Sequence, residues 1–341
     1  MCILWGFILA LGEVDLQIYA PLLPGQVTVS ESGRLFLLDS RAGEVVIVDG
    51  QKVVKRFGRK GEGPGDFIHP SSLWWMEGSL YVMDMHAIHK FDAVGGHGGS
   101  VRKREPFELL IGVRQGWIGT QVPQFTKGVL TYFHYSRDLN KRESFFEMHF
   151  QMRPKGTYAL VEDIPRLISE HTGAYAIVVD RQEGYLHVFE TGTLRKKATI
   201  KNRSQLVPMD RQWAKNKQHL IEAGMAEIRN VKPFVPDFFP PIRDVVISPE
   251  NHLLVFTWQA HAREPGLEVY DFDGNSAKSE VKTLEGAKRV CAVFADQAIV
   301  SSFEDEAAKV HLLDFGAVDK FVKEHPLVFD VSLLLPSLKQ P

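Results

Sequence analysis

One unit recurs along the 341-residue chain: a short apolar strand, a tight turn carrying Gly, Asn or Asp, a second apolar strand, a polar break and a third strand. The first copy reads Val27-Thr28-Val29, a turn at Ser32-Gly33, Leu35-Phe36-Leu37-Leu38-Asp39, then Val45-Val46-Ile47-Val48-Asp49. The second reads Leu73-Trp74-Trp75, a turn at Glu77-Gly78, Leu80-Tyr81-Val82-Met83-Asp84, then Ile88-His89-Lys90-Phe91-Asp92. The turn markers Gly33, Gly78, Gly128, Gly173, Asn251 and Asp296 are separated by 45, 50, 45, 78 and 45 residues. Length alone suggests two domains, but a recurring period of this size is the mark of a repeat architecture.

The strands are β-branched and aromatic, with turn residues between them, which favours antiparallel meanders over helices. A unit of this size cannot bury both of its faces alone, and radial stacking on its neighbours makes a propeller. Six markers predict an all-β, six-bladed β-propeller over residues 13–325, followed by a C-terminal tail, 326–341. Val14-Asp15-Leu16-Gln17-Ile18 alternates with period two and is predicted to pair into the last blade, closing the ring. The 78-residue gap predicts a helical insertion, 204–241, between blades 4 and 5. Asp210 is placed to cap a helix in which Trp213, Lys217, Ile221, Met225 and Ile228 follow helical spacing. The insertion either lies over one face of the propeller or forms a lid or partner surface at the mouth of the central channel. Phe238 and Phe239, flanked by prolines, are its expected exposed aromatic contacts.

The composition, 44% hydrophobic and 24% charged, excludes disorder, and a net charge of −2 supplies no overall field for nucleic acid or an anionic membrane. The basic clusters Arg102-Lys103-Arg104 and Arg195-Lys196-Lys197, with Lys201 and Arg203, are read as solvated faces. The apolar run Ile3 to Gly12 is too short to span the roughly 30 Å hydrocarbon core of a bilayer as a helix. Residues 1–12 are either the remnant of a signal peptide or an apolar first strand. The first choice implies a periplasmic or secreted protein, the second a cytoplasmic one. Two cysteines do not indicate a redox compartment, and Cys291 is expected to pack as a small hydrophobe.

The pattern G-x-x-G-x-G-P-G-x-F over residues 58–67, followed by Leu80-Tyr81-Val82-Met83-Asp84 and Ile88-His89-Lys90-Phe91-Asp92, resembles the repeat of NHL-type six-bladed propellers. The resemblance is to the bacterial 6-bladed β-propeller family and is strongest over these two units. It implies that Asp39, Asp84 and Asp180 hold the repeat's aspartate position, each carboxylate accepting hydrogen bonds from the turn that follows. The class contains binding scaffolds as well as calcium-dependent lactonases and copper- or zinc-dependent lyases, so the fold does not choose a function.

Residue patterns supply few candidates for chemistry. The glycines of 58–65 lack the G-x-x-x-x-G-K-S/T pattern and read as an inter-blade crossover, not a phosphate loop. Asp84 and His86, two apart on an extended chain and with His69 as a third candidate, are the donor types that suit a divalent metal. Chance proximity is the favoured explanation, since it is common among 13 histidines. Gly95-Gly96-His97-Gly98-Gly99 reads as a flexible loop with one solvated histidine. Trp258, His261 and Arg263 fall where a loop would rim the channel and suit a sugar or an anionic ligand. No nucleophile elbow, HExxH, CxxC pair or dinucleotide fingerprint occurs, and the Glu, Asn and Asp set of the calcium lactonases has no counterpart at the inner-strand ends. The expected function is therefore a non-catalytic, monomeric binding or scaffold module that meets a protein or glycan through its rim loops, with no cofactor. The alternative is a hydrolase or lactonase with a divalent metal in the channel.

Overall fold

The computed structural model describes residues 13–18, 25–50, 52–104, 107–121, 128–151, 157–159, 165–170, 172–224, 232–247, 251–258, 265–275, 282–283, 289–294, 297–304 and 307–314. Strand β1 (Glu13–Ile18) is followed by β2 (Val27–Val29), β3 (Leu35–Asp39), β4 (Glu44–Asp49) and β5 (Lys52–Phe57), of which β2–β5 form one antiparallel meander. The second meander is β6 (Ser72–Met76), β7 (Ser79–Met83), β8 (Ala87–Phe91) and β9 (His97–Arg102). The third is β10 (Phe107–Val113), β11 (Gly116–Gln121), β12 (Val129–Tyr135) and β13 (Arg142–His149). After β14 (Thr157–Ala159), the fourth is β15 (Arg166–Ser169), β16 (Tyr175–Asp180), β17 (Tyr185–Glu190) and β18 (Arg195–Lys201). Helix α1 (Arg211–Gly224) and β19 (Lys232–Phe234) come next, and β19 pairs in parallel with β14. The fifth meander is β20 (Asp244–Ile247), β21 (His252–Trp258), β22 (Pro265–Asp271) and β23 (Lys282–Thr283).

A further four-stranded sheet draws on distant parts of the chain. Strands β24 (Arg289–Phe294), β25 (Gln297–Glu304) and β26 (Ala307–Asp314) are joined by β1, which pairs antiparallel with β26. Strand β24 runs beside β20 on one side and β2 on the other. The architecture is a β-propeller, all-β apart from α1 among the described residues.

The strand sequences follow from their place in the sheets. A second strand has neighbouring sheets over both faces, so it is apolar throughout: β3 is buried at every residue, and β7, β16 and β21 nearly so. Outermost strands β5, β9 and β18 are mostly exposed and carry the lysines and arginines. Side chains interlock from sheet to sheet. Phe36 and Ile47 pack with Leu80 and Phe91, and Met83 and Ile88 with Leu110 and Trp117. Leu130 and Tyr132 pack with Val178 and Phe189, and Ile177 and Val188 with Val245 and Val255.

The structure corrects the repeat in one place. Gly128 precedes β12, the third strand of its sheet, whereas Gly33, Gly78, Gly173 and Asn251 precede second strands. The true counterpart is the turn before Gly116, so one of the 45-residue separations is a coincidence of phase. In the insertion, Asp210 does cap α1: its carboxylate accepts the Gln212 N–H at 2.7 Å and its carbonyl the Ala214 N–H at 2.9 Å. The predicted positions Met225 and Ile228 lie outside the described residues.

Candidate functional site

In each meander the end of the second strand, the start of the first and the end of the fourth lie together. Leu37 opposes Val27, Asp39 opposes Glu44 and Val45 opposes Phe57 in the first sheet. The crossovers between sheets and the second-to-third-strand turns therefore share one face of the propeller. The insertion and Trp258 are on that face.

Trp258 closes β21, and its indole is stacked on Phe239 with centroids 4.4 Å apart and planes 22° apart. The Arg243 guanidinium lies 5.0 Å from the Trp258 ring centroid. Arg243 sits just before β20, where its N–H donates to the Phe256 carbonyl at 2.8 Å. Its own carbonyl accepts from the guanidinium of Arg181, which is 4% exposed and also donates to the Ile242 carbonyl at 3.2 Å. A buried cation in the turn after β16 thus grips the backbone that presents Arg243. Beside it, Arg166 of β15 pairs with Asp244 of β20 and ties two inner strands together at the channel mouth. Behind it, the buried Glu268 accepts from the Ser204 hydroxyl, the Arg203 N–H and the Tyr270 hydroxyl.

Phe238 and Phe239 take opposite roles. Phe238 is 45% exposed, whereas Phe239 is 1% exposed, which corrects the expectation that both are surface contacts. The reason is the extended backbone, which sends adjacent side chains to opposite sides. The Phe239 N–H donates to the Val207 carbonyl, and the side chain turns inward onto Trp258. His261 and Arg263 lie outside the described residues. Arg243, Arg181 and the Arg166–Asp244 pair were not foreseen. The signal was a basic residue at the mouth-facing end of an otherwise apolar strand.

Asp84 is placed differently from the sequence expectation. Asp39 and Asp180 do accept from the turns that follow them, through Arg41 and Ala42, and through Gln182 and Glu183. Asp84 instead accepts the N–H groups of Ile68 and His69 at 2.9 and 2.6 Å, fixing the crossover that precedes its sheet. Each of its two oxygens accepts a backbone N–H, and His86 is exposed, its carbonyl accepting the Lys103 N–H. Among the described residues no three His, Cys, Asp or Glu side chains converge as a metal site would need. The glycine-rich stretch is also corrected: His97 to Gly99 belong to strand β9, and His97 is hydrogen-bonded to Ser100.

No protein-family model matches the chain, and no curated protein matches it. Among solved structures, a member of the DUF4221 family from Bacteroides vulgatus superposes with a TM-score of 0.57 at 10% identity, covering 89% of this chain and 94% of that one. A Bacteroides fragilis protein, whose own description as exported is provisional, gives 0.52 at 12% identity, again covering 89% and 94%. The virginiamycin B lyase of Staphylococcus aureus gives 0.46 at 10% identity, covering 89% and 98%. At these identities the likeness to the two Bacteroides proteins is one of fold.

Proposed function

We propose that the chain is a monomeric six-bladed propeller, its sixth blade assembled from β24–β26 and β1, that binds a protein or glycan partner at the rim of the fifth blade. Six four-stranded sheets and the position of β24 between β20 and β2 support the closed ring. The crossover of residues 58–67 supports a relationship to NHL-type propellers.

The observation that carries the binding site is Arg243, placed against Trp258 and held from behind by the buried Arg181, with Phe238 exposed nearby. A guanidinium fixed against an indole is organised before any ligand arrives, so less side-chain entropy is lost on binding. That chemistry suits an acidic sugar: the guanidinium takes the carboxylate and Phe238 takes an apolar sugar face. Trp258 itself acts as a wall, because its ring is already covered by Phe239. His261 and Arg263, three and five residues after Trp258 in the sequence, complete the proposed contact set. Asp84 and His86 take no part in this rim site. An exported location belongs to the same proposal and draws support from the apolar run at residues 3–12 and from the likeness to the Bacteroides fragilis protein.

A panel of acidic and neutral glycans, with acidic peptides alongside, tests it. Binding of an acidic glycan that falls at least about tenfold in Arg243→Ala is the expected result, since a charge-assisted hydrogen bond contributes about 1.5–3 kcal/mol. Retention of acidic peptides alone would move the assignment to a protein partner. Failure of every anionic ligand, or affinity unchanged in Arg243→Ala, would remove the site.

A further inference from the structure

A second site lies on the second sheet, away from the fifth-blade rim. His89 of β8 and Ser100 of β9 are direct cross-strand partners. Ser100 Oγ is 2.9 Å from His89 Nδ1 and 3.0 Å from His97 Nε2. The other nitrogen of His89, Nε2, is 3.8 Å from Asp84 Oδ2. Asp84 is 3% exposed and oriented by its two backbone donors, and His89 is 9% exposed with its ring edge-on to Phe67 at 5.5 Å. Ser100 and His97 face solvent. A bulge opposite Lys90 and Phe91 shifts the register of β9 so that His97 and Ser100 reach the same point.

One arrangement of protons satisfies all four groups. His89 Nε2–H faces the Asp84 carboxylate, His89 Nδ1 accepts the Ser100 hydroxyl proton, and Ser100 Oγ accepts His97 Nε2–H. Burial lowers the basicity of His89 below its ordinary value, against the pull of Asp84, so the ring is a neutral proton acceptor near pH 7. Ser100 is itself exposed, so its hydroxyl is open to a small substrate from solvent.

We propose that Ser100 is an activated nucleophile toward small esters, with His89 as general base, Asp84 as the residue that positions it, and His97 as the donor to the developing oxyanion. Ser100 Oγ attacks the acyl carbon, an Oγ–C bond forms, and the hydroxyl proton passes to His89 Nδ1. His97 Nε2–H moves from Oγ to the carbonyl oxygen as negative charge builds there. Collapse breaks the ester C–O bond, and the leaving alkoxide takes the proton from His89. Water then attacks the acyl carbon and gives a proton to His89, the Oγ–C bond breaks, and Ser100 Oγ takes that proton back from His89 as the acid leaves.

A fluorophosphonate probe on the full-length protein tests this, since attack by Ser100 displaces fluoride and leaves a stable adduct on Oγ. The expected result is one adduct at Ser100, formed about 100-fold faster than at Ser136, whose hydroxyl bonds only carboxylate and backbone groups, because a positioned base contributes 10²-fold or more. Labelling vanishes in Ser100→Ala and falls to the Ser136 level in His89→Gln. Should His89→Gln fail to fold, the pH profile of the unaltered protein decides. The rate must fall as the pH drops below about 6.5 and His89 is protonated, with Asp84, His97 and Ser100 the polar groups facing it. In Asp84→Asn the midpoint moves to lower pH, because the carboxylate no longer favours the imidazolium; a purely structural Asp84 leaves it in place. Absence of an adduct, labelling no faster than at Ser136, or a flat pH profile each overturns the proposal.

Discussion

The crossover from the first sheet to the second and that from the fourth to the fifth solve one problem with very different lengths of chain. Each leaves an outermost strand and must reach the innermost strand of the next sheet. Each seals the gap with a phenylalanine: Phe67 is fully buried and Phe239 is 1% exposed. Each is also closed by the backbone. Phe67 N–H donates to Arg59 O at 2.8 Å and its carbonyl accepts from Gly61, while Phe239 N–H donates to Val207 O at 2.9 Å and Met209 N–H to Asp237 O at 2.9 Å. The longer connection is thus the same closure with an excursion between Met209 and Asp237 that includes α1 and β19. Loop-closure entropy grows only logarithmically with length, so such an excursion is cheap once its base is pinned.

The comparison can be broken most forcefully at its plugs. Phe67→Ala is expected to cost about 3–5 kcal/mol in a denaturant melt, as for other fully buried phenylalanines. Phe239→Ala should cost a similar amount and in addition loosen Trp258; a loss below about 1 kcal/mol at either position would end the equivalence. Next in size is Gly58→Ala. Gly58 has φ +81°, and a Cβ there would lie 2.3 Å from the Phe67 ring. An expected loss of about 2–3 kcal/mol, from overpacking plus backbone strain, shows the short crossover to be tight in a way the long one is not.

Acid provides a third test. Burial lowers the imidazole pKa of His89, and lowers that of His187 to about 4, with Lys196 assisting at His187. The unfolded chain binds these protons more readily than the folded one. Their contribution is therefore present above about pH 6.5 and lost as pH falls toward 4. The melting temperature should drop over that window, less so in His187→Gln. The smallest effect is expected from replacing residues 209–237 with a short Gly-Ser linker. It removes α1 and the β14–β19 pair yet leaves Val207 and Phe239 in place, so the melt should shift by only a few degrees. A collapse of the fold would show that the excursion itself holds the sheets together.

Much of the fold was legible because the second strands are covered on both faces and hence continuously apolar; Leu35 to Leu38 and Ala176 to Val179 could be little else. The pairing of residues 14–18 with the last strand followed from alternation. The phase error at Gly128 arose because every turn in a meander draws on the same few residue types, so a marker does not say which turn it makes. The site was less legible. That Asp84 reaches back to Ile68 and His69, that Phe239 turns in while Phe238 turns out, and that His97 meets Ser100 across a bulge all depend on tertiary register. Arg243 was hidden for a similar reason, since its value comes from Arg181, more than 60 residues earlier in sequence, gripping its carbonyl.

The sheet that joins β1 to β26 carries a consequence for synthesis. Glu13 pairs opposite His311, so β1 has no partner until the chain almost 300 residues further on has left the ribosome. Until then β1 waits, and each newly finished sheet offers its open side to the next. The molecule must therefore pass through an incomplete arc whose two free flanks are competent to join a second nascent chain. Domain-swapped dimers at high expression, in which β1 of one molecule completes the arc of another, are the aggregation route that this topology favours.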